Sequence, residues 1–153
     1  MAKNYNKMKE IKTEIIIEAT AEKVWNTLTD FSTYAEWNPF ITSIGGMPEV
    51  NHKLTAVLSL EDRKPMTIKP TLMVSDINKK FEWYGTMPLG MFNGRHYFQI
   101  EELSNGMVKF TQGEYFTGWL VKPLLKMIGA KTQNGFISMN RALKERVESK
   151  KDK

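Results

Sequence analysis

The stretch that most restricts how this chain can fold is residues 118–148, GWLVKPLLKMIGAKTQNGFISMNRALKERVE. Apolar residues recur at Leu120, Leu124, Met127, Ile128, Phe136, Met139, Leu143 and Val147. Spacings of three, four and their multiples set them on one stripe of an α-helix. At about 1.5 Å per residue such a helix spans roughly 40–45 Å. That is longer than one side of a small domain, so the rest of the chain has to wrap around it. Pro123 fits only in the first turn, where a missing N–H costs little. Gly129 and Gly135 each weaken a helix by about 1 kcal/mol relative to Ala. They mark either a tolerated irregularity or room beside the backbone for another element or a ligand.

The chain of 153 residues is long enough to bury a real core. One domain is expected over residues 10–148, with 1–9 a flexible lead and 149–153 a charged tail. Lys and Arg number 22 against 17 Asp and Glu, a net charge of +5. The excess is scattered and partly terminal, with no basic stripe interleaved with aromatics, which argues against nucleic acid as a partner. The sequence contains no cysteine, so disulfides and thiol chemistry are excluded. Neither an apolar leader nor an apolar run approaching the ~18 residues of a membrane span is present. The expectation is a cytoplasmic protein; the sequence leaves its state of assembly open.

From Glu10, the residues Ile11, Thr13, Ile15 and Ile17 alternate with polar neighbours, the pattern of a strand with one buried face. Thr20 fits as the N-cap of a short helix over 21–28 carrying Val24, Trp25 and Leu28. A second short helix through Phe31, Tyr34 and Trp37 ends at Asn38–Pro39. Strands are predicted over 40–44, 53–60, 65–74, 81–84, 91–103 and 107–117. The last two flank Ser104–Asn105–Gly106, a hairpin turn. The order is one strand, two small helices, about six antiparallel strands and one long helix. Hairpins imply an antiparallel sheet with one face needing cover, which the long helix supplies. A twisted sheet curling around one helix leaves space for an interior hollow.

The segment IEATAEKVWNTLTDFSTYAEWNPFI, with Val24-Trp25, Asp30-Phe31 and Trp37-Asn38-Pro39-Phe40, resembles the SRPBCC superfamily, the START and birch-pollen-allergen-like proteins. Lys69-Pro70, Phe81-x-Trp83, Gly94-x-His96-x-Phe98-x-Ile100, Gln112-x-Glu114-x-Phe116-x-Gly118 and the Gly135-Phe136 to Lys144 region continue the resemblance. The nearest branch is the polyketide cyclase/dehydrase and lipid transport group. The resemblance implies an α+β helix-grip fold: a curved antiparallel sheet of about seven strands around the C-terminal helix, with a hydrophobic cavity between them. Such proteins include carriers, receptors, ring-closing enzymes and chaperone cofactors, so the fold alone does not select a function.

His96 is the first candidate for chemistry. It shares one strand face with Gly94, Phe98 and Ile100, while Phe110, Gln112, Glu114 and Phe116 share another. A register pairing Ile100 with Phe110 pairs Phe98 with Gln112 and His96 with Glu114. A slip of two residues sets His96 opposite Gln112 or Phe116. The His96–Glu114 couple is open to four readings: it holds a ligand's hydroxyl or carbonyl, moves a proton, pins the hairpin, or leaves Glu114 wet near the sheet edge. Trp83, Phe98, Met66, Ile68, Met127 and Met139 are the expected apolar ligand contacts around His96, Gln112 and Glu114, the methionines because thioethers adapt to varied shapes. Trp25, Trp37 and Trp119 are expected in the core. Met87, Pro88, Leu89, Met91 and Phe92 form an apolar patch, a cavity rim or simple packing. His52 is expected to be exposed. Two distant histidines make no metal motif, and no phosphate loop or serine triad is present. No metal or other cofactor is expected.

Three functions follow from these residues. The leading one is binding or transport of a small hydrophobic molecule in an internal cavity. The alternatives are a polyketide cyclase or dehydratase using His96 and Glu114, and a protein-interaction module of the chaperone-activator kind using the 87–92 patch.

Overall fold

A computed structural model of the chain describes residues 8–149. Most of the expected lead, and the tail past Ser149, therefore lie outside the described residues. Strand β1 (Lys9–Ile17) is followed by α1 (Ala21–Thr29), a 3-10 turn at Phe31–Thr33 and α2 (Tyr34–Trp37). Then come β2 (Ile41–Gly45), β3 (Thr55–Leu58), β4 (Met66–Ile68), β5 (Thr71–Asp76), β6 (Lys80–Thr86), β7 (Asn93–Glu102), β8 (Val108–Thr117) and α3 (Val121–Ser149).

Local chemistry accounts for these boundaries. The Thr20 side chain accepts the Lys23 backbone N–H and opens α1. Asn38 ends α2, and its Oδ1 accepts the N–H groups of Phe40 and Ile41. Asn105 and Gly106 both take positive φ, as a tight hairpin demands, and join β7 to β8. Tyr34 is buried against Phe31 and Trp37 and donates its hydroxyl to the Leu28 carbonyl. Burial first, then Asp30, holds that phenol well above the usual tyrosine range.

The strands form an antiparallel sheet in the order β1-β8-β7-β6-β5 and a second sheet in the order β2-β3-β4. A bridge between Lys53 and Thr71, with backbone bonds from Leu54 to Pro70 and from Leu72 to His52, links the two into one curved surface. The single strand expected over 65–74 is split, because Pro70 has no N–H to give a ladder. Inward alternation survives the split: Pro70 and Leu72 are buried, and Ile68 packs against the core. Met66 does not follow it. It opens a three-residue strand at the free edge of the small sheet and is 47% exposed.

The long helix has 29 residues, about 43 Å. It lies across β1 and β8. Val121 in its first turn is buried, and so are Thr132, Phe136, Met139, Asn140, Leu143 and Val147 further along. Between Val121 and Thr132 the cover is incomplete: Leu124, Leu125 and Ile128 are half-buried. Met127 is 55% exposed, a correction to its expected inward place. At 100° per residue, Met127 turns off the Leu124–Ile128–Thr132 line toward solvent. The helix end is tied down by Lys144 donating to the Ile16 carbonyl, Glu148 accepting the Glu18 N–H, and Arg146 bonded to Glu36.

Candidate functional site

The inward row across the large sheet reads Ile11, Glu114, His96, Trp83, Leu72. The adjacent row reads Thr13, Gln112, Phe98, Phe81. The hairpin register is the one that pairs Ile100 with Phe110 and His96 with Glu114. His96 is 3% exposed. Its ring sits among Phe98 at 4.7 Å, Phe136 at 4.9 Å, Trp83 at 5.1 Å and Phe40 at 6.4 Å between centroids.

A chain of buried hydrogen bonds runs through these rings. Gln112 Nε2 lies 3.4 Å from the Phe136 carbonyl and 2.8 Å from Asn140 Oδ1. A carbonyl can only accept, so Nε2 is the donating end of that amide and Oε1 faces His96. His96 Nε2–H therefore donates to Gln112 Oε1 at 3.0 Å. Asn140 Nδ2 donates to Thr13 Oγ1 at 2.8 Å, and Thr13 donates to the Gln112 carbonyl at 3.1 Å. Every member is satisfied, as a buried polar network must be to avoid a penalty.

At the last link of the chain, His96 Nδ1 and Glu114 Oε1 are 3.3 Å apart. Both imidazole nitrogens are then engaged by protein. Glu114, with its side chain 18% exposed, is the member that meets the outside. Its Oε2 lies over Gly94, where a Cβ would collide with it, so the glycine makes the carboxylate's seat.

Of the expected ligand contacts, Trp83, His96, Phe98, Gln112, Glu114 and Met139 lie on the surfaces that face each other between sheet and helix. Ile68 lines the core from the smaller sheet, while Met66 and Met127 face solvent. The volume around His96 is filled by aromatic rings and amides, where the sequence led us to expect open space. A groove of about 260 Å³ lies on the sheet's other face, lined by both signs of charge, including Glu10, Glu14, Lys80 and Lys109. Tyr97 lines it and donates to Glu10 at 2.7 Å. Burial, then the Glu10 carboxylate, pushes that phenol far above its usual range. Buried Glu82 is neutralised by Lys80 at 3.0 Å and Arg95 at 3.3 Å. This groove is polar, and nothing in it suits an apolar guest.

Sequence reasoning missed Thr13 and Asn140 as network members. Both stand at positions of an otherwise apolar series: Thr13 between Ile11 and Ile15, Asn140 four residues after Phe136 and three before Leu143. A polar residue on a buried stripe is the mark that would have found them. Trp119, expected in the core, is 64% exposed: it precedes α3 and its indole N–H donates to the Leu89 carbonyl of the 87–91 turn. His52 is exposed, 3.5 Å from Glu49. Among the described residues no group of three His, Cys, Asp or Glu could hold a metal ion. Nor is any helix there long and apolar enough to cross a membrane.

The family model described as polyketide cyclase/dehydrase and lipid transport matches residues 8–148. No curated protein sequence matches the chain. Among solved structures, the Zhui aromatase/cyclase from Streptomyces sp. R1128 is similar at 12% identity, with a TM-score of 0.75 over 92% of this chain and 94% of that one. A START superfamily protein from Mycobacterium smegmatis is similar at 17% identity, with a TM-score of 0.71 over 92% and 97%. Ara h 8.0201 is similar at 14% identity, with a TM-score of 0.66 over 93% and 99%. At such identities the likeness is one of fold.

Proposed function

The chain belongs to the polyketide cyclase/dehydrase and lipid transport family, and from that premise we propose that it binds a small hydrophobic molecule, lipid-like or aromatic, between the sheet and the first half of α3. The observation that carries this is the uneven engagement of α3. Leu124, Leu125 and Ile128 stay half-buried between buried Val121 and the sealed residues from Thr132 onward. An apolar guest completes the burial of those side chains, at about 25 cal/mol for each Å² removed from water. Glu114, braced by His96, is the polar anchor that accepts from a hydroxyl on the guest.

Native mass spectrometry of the purified protein, followed by titration with a fluorescent fatty acid, tests the proposal. Ile128→Trp is expected to fill the space and abolish binding. Glu114→Gln is expected to weaken a hydroxylated ligand at least tenfold, since hydrogen bonds to charged groups contribute about 1.5–3 kcal/mol. Undiminished affinity in Ile128→Trp sinks the proposal.

A second reading, ring closure of a polyketide-like substrate, rests on the Zhui aromatase/cyclase having this fold. Here Glu114 Oε2 would be the acid–base atom, because both nitrogens of His96 are occupied. Glu114→Gln would then retain substrate binding and lose turnover.

A further inference from the structure

We infer that the surface made by the 87–91 turn and the start of α3 docks on a lipid membrane bearing anionic headgroups. Leu89 is 89% exposed and its backbone is left-handed, with φ 61°. A branched side chain in that region is costly, and the cost here holds a leucine out in water. Trp119 projects beside it, its indole Nε1–H donating to the Leu89 carbonyl at 3.4 Å. Exposed Met87 extends the same apolar face. Tryptophan with aliphatic neighbours at a protruding tip suits the headgroup level of a bilayer, where an apolar body and a polar N–H are both accommodated.

The charge around this tip chooses the lipid. Lys122 follows Trp119 by three residues and Lys126 follows Lys122 by four, so they rise along one helical face. Both are exposed. No acidic residue occurs from 115 to 144 or from 83 to 100, and the acids that flank or pair with these segments are engaged: Glu114 by His96, Glu10 by Tyr97, and Glu82 by Lys80 and Arg95. The first turn of α3 has no acidic residue. Lysines here oppose the helix dipole, which favours anions at this end, so they do not serve helix stability. Together with the dipole they make a positive collar around an apolar tip, complementary to phosphatidylserine-type headgroups. This surface goes beyond the ligand reading, and its test requires no ligand.

The measurement is co-sedimentation of the full chain with vesicles of phosphatidylcholine alone and of phosphatidylcholine mixed equally with phosphatidylserine. Binding is expected on the mixed vesicles and should fall as salt is raised. Lys122→Gln and Lys126→Gln are each expected to lower the partition coefficient about fivefold. Leu89→Ser and Trp119→Ala should lower it on both vesicle types. All four side chains are exposed, so circular dichroism and melting should stay at wild-type values. Absence of binding to the mixed vesicles overturns the inference. Equal binding to both vesicle types, indifferent to the lysine replacements, also overturns it. So does a dimer in sedimentation that Trp119→Ala dissociates while vesicles remain unbound, which would give the patch to a second copy of the chain.

Discussion

Gln112→Leu is the sharpest probe of the interior. The side chain of Gln112 bonds His96, Asn140 and the Phe136 carbonyl at once. Leucine fills a similar volume but leaves His96 Nε2–H and Asn140 Oδ1 buried without their partner. Each stranded group costs about 1–3 kcal/mol. The new apolar atoms return about 1 kcal/mol. The expected net loss is about 3 kcal/mol, which for a chain of this size lowers Tm by about 6–12 °C. Urea denaturation and thermal melting followed by circular dichroism measure it. Adding His96→Phe removes one stranded donor, so the double variant should be more stable than the sum of the single losses implies. A loss under about 1 kcal/mol for Gln112→Leu, or strict additivity in the double variant, would refute the linked network.

The two glycines of α3 should respond in opposite directions. A Cβ at Gly135 would lie 2.6 Å from the Phe40 ring, so Gly135→Ala should destabilise by about 1–3 kcal/mol despite the better helix former. At Gly129 the nearest atom is Leu125 Cβ at 3.7 Å, so Gly129→Ala should stabilise by up to about 1 kcal/mol. Equal responses in urea melts would contradict this placing of Phe40. Gly94→Ala should displace the Glu114 carboxylate, weakening ligand binding while barely moving Tm, because the displaced group is the far end of a flexible side chain. Glu148 is held below the ordinary carboxylate value of 4.5, first by Lys144 and then by the Glu18 N–H. A depressed folded value adds stability above the unfolded value and loses it as pH falls through the folded one. Melting curves of wild type and Glu148→Gln should therefore differ at pH 7 and converge in strong acid.

The order of elements was legible because hydrophobic period and turn chemistry are local: Thr20, Asn38, Asn105 and Gly106 each do at their own position what their chemistry predicts. The hairpin itself was legible from its turn, while its register stayed open to a two-residue slip that the pairing of Ile100 with Phe110 removes. What stayed hidden was tertiary. Met66 keeps its place in the strand alternation, yet it sits on an edge strand and is 47% exposed, while Met127 stands off the line of the buried helix residues. Asn140 and Thr13 meet across a separation in sequence that periodicity cannot bridge. The filling of the interior by Phe40 and Phe136 depended on a close approach at Gly135, for which the sequence offered two readings.

The bonds of Lys144, Arg146 and Glu148 have one further effect. They moor the rod at its tail, while Leu124, Leu125 and Ile128 nearer its head are only half covered. Loosening then has a built-in direction, from head to tail. A guest of the proposed kind would then enter and leave beneath Leu124 and Ile128 while the sheet and the anchored turns stay as they are.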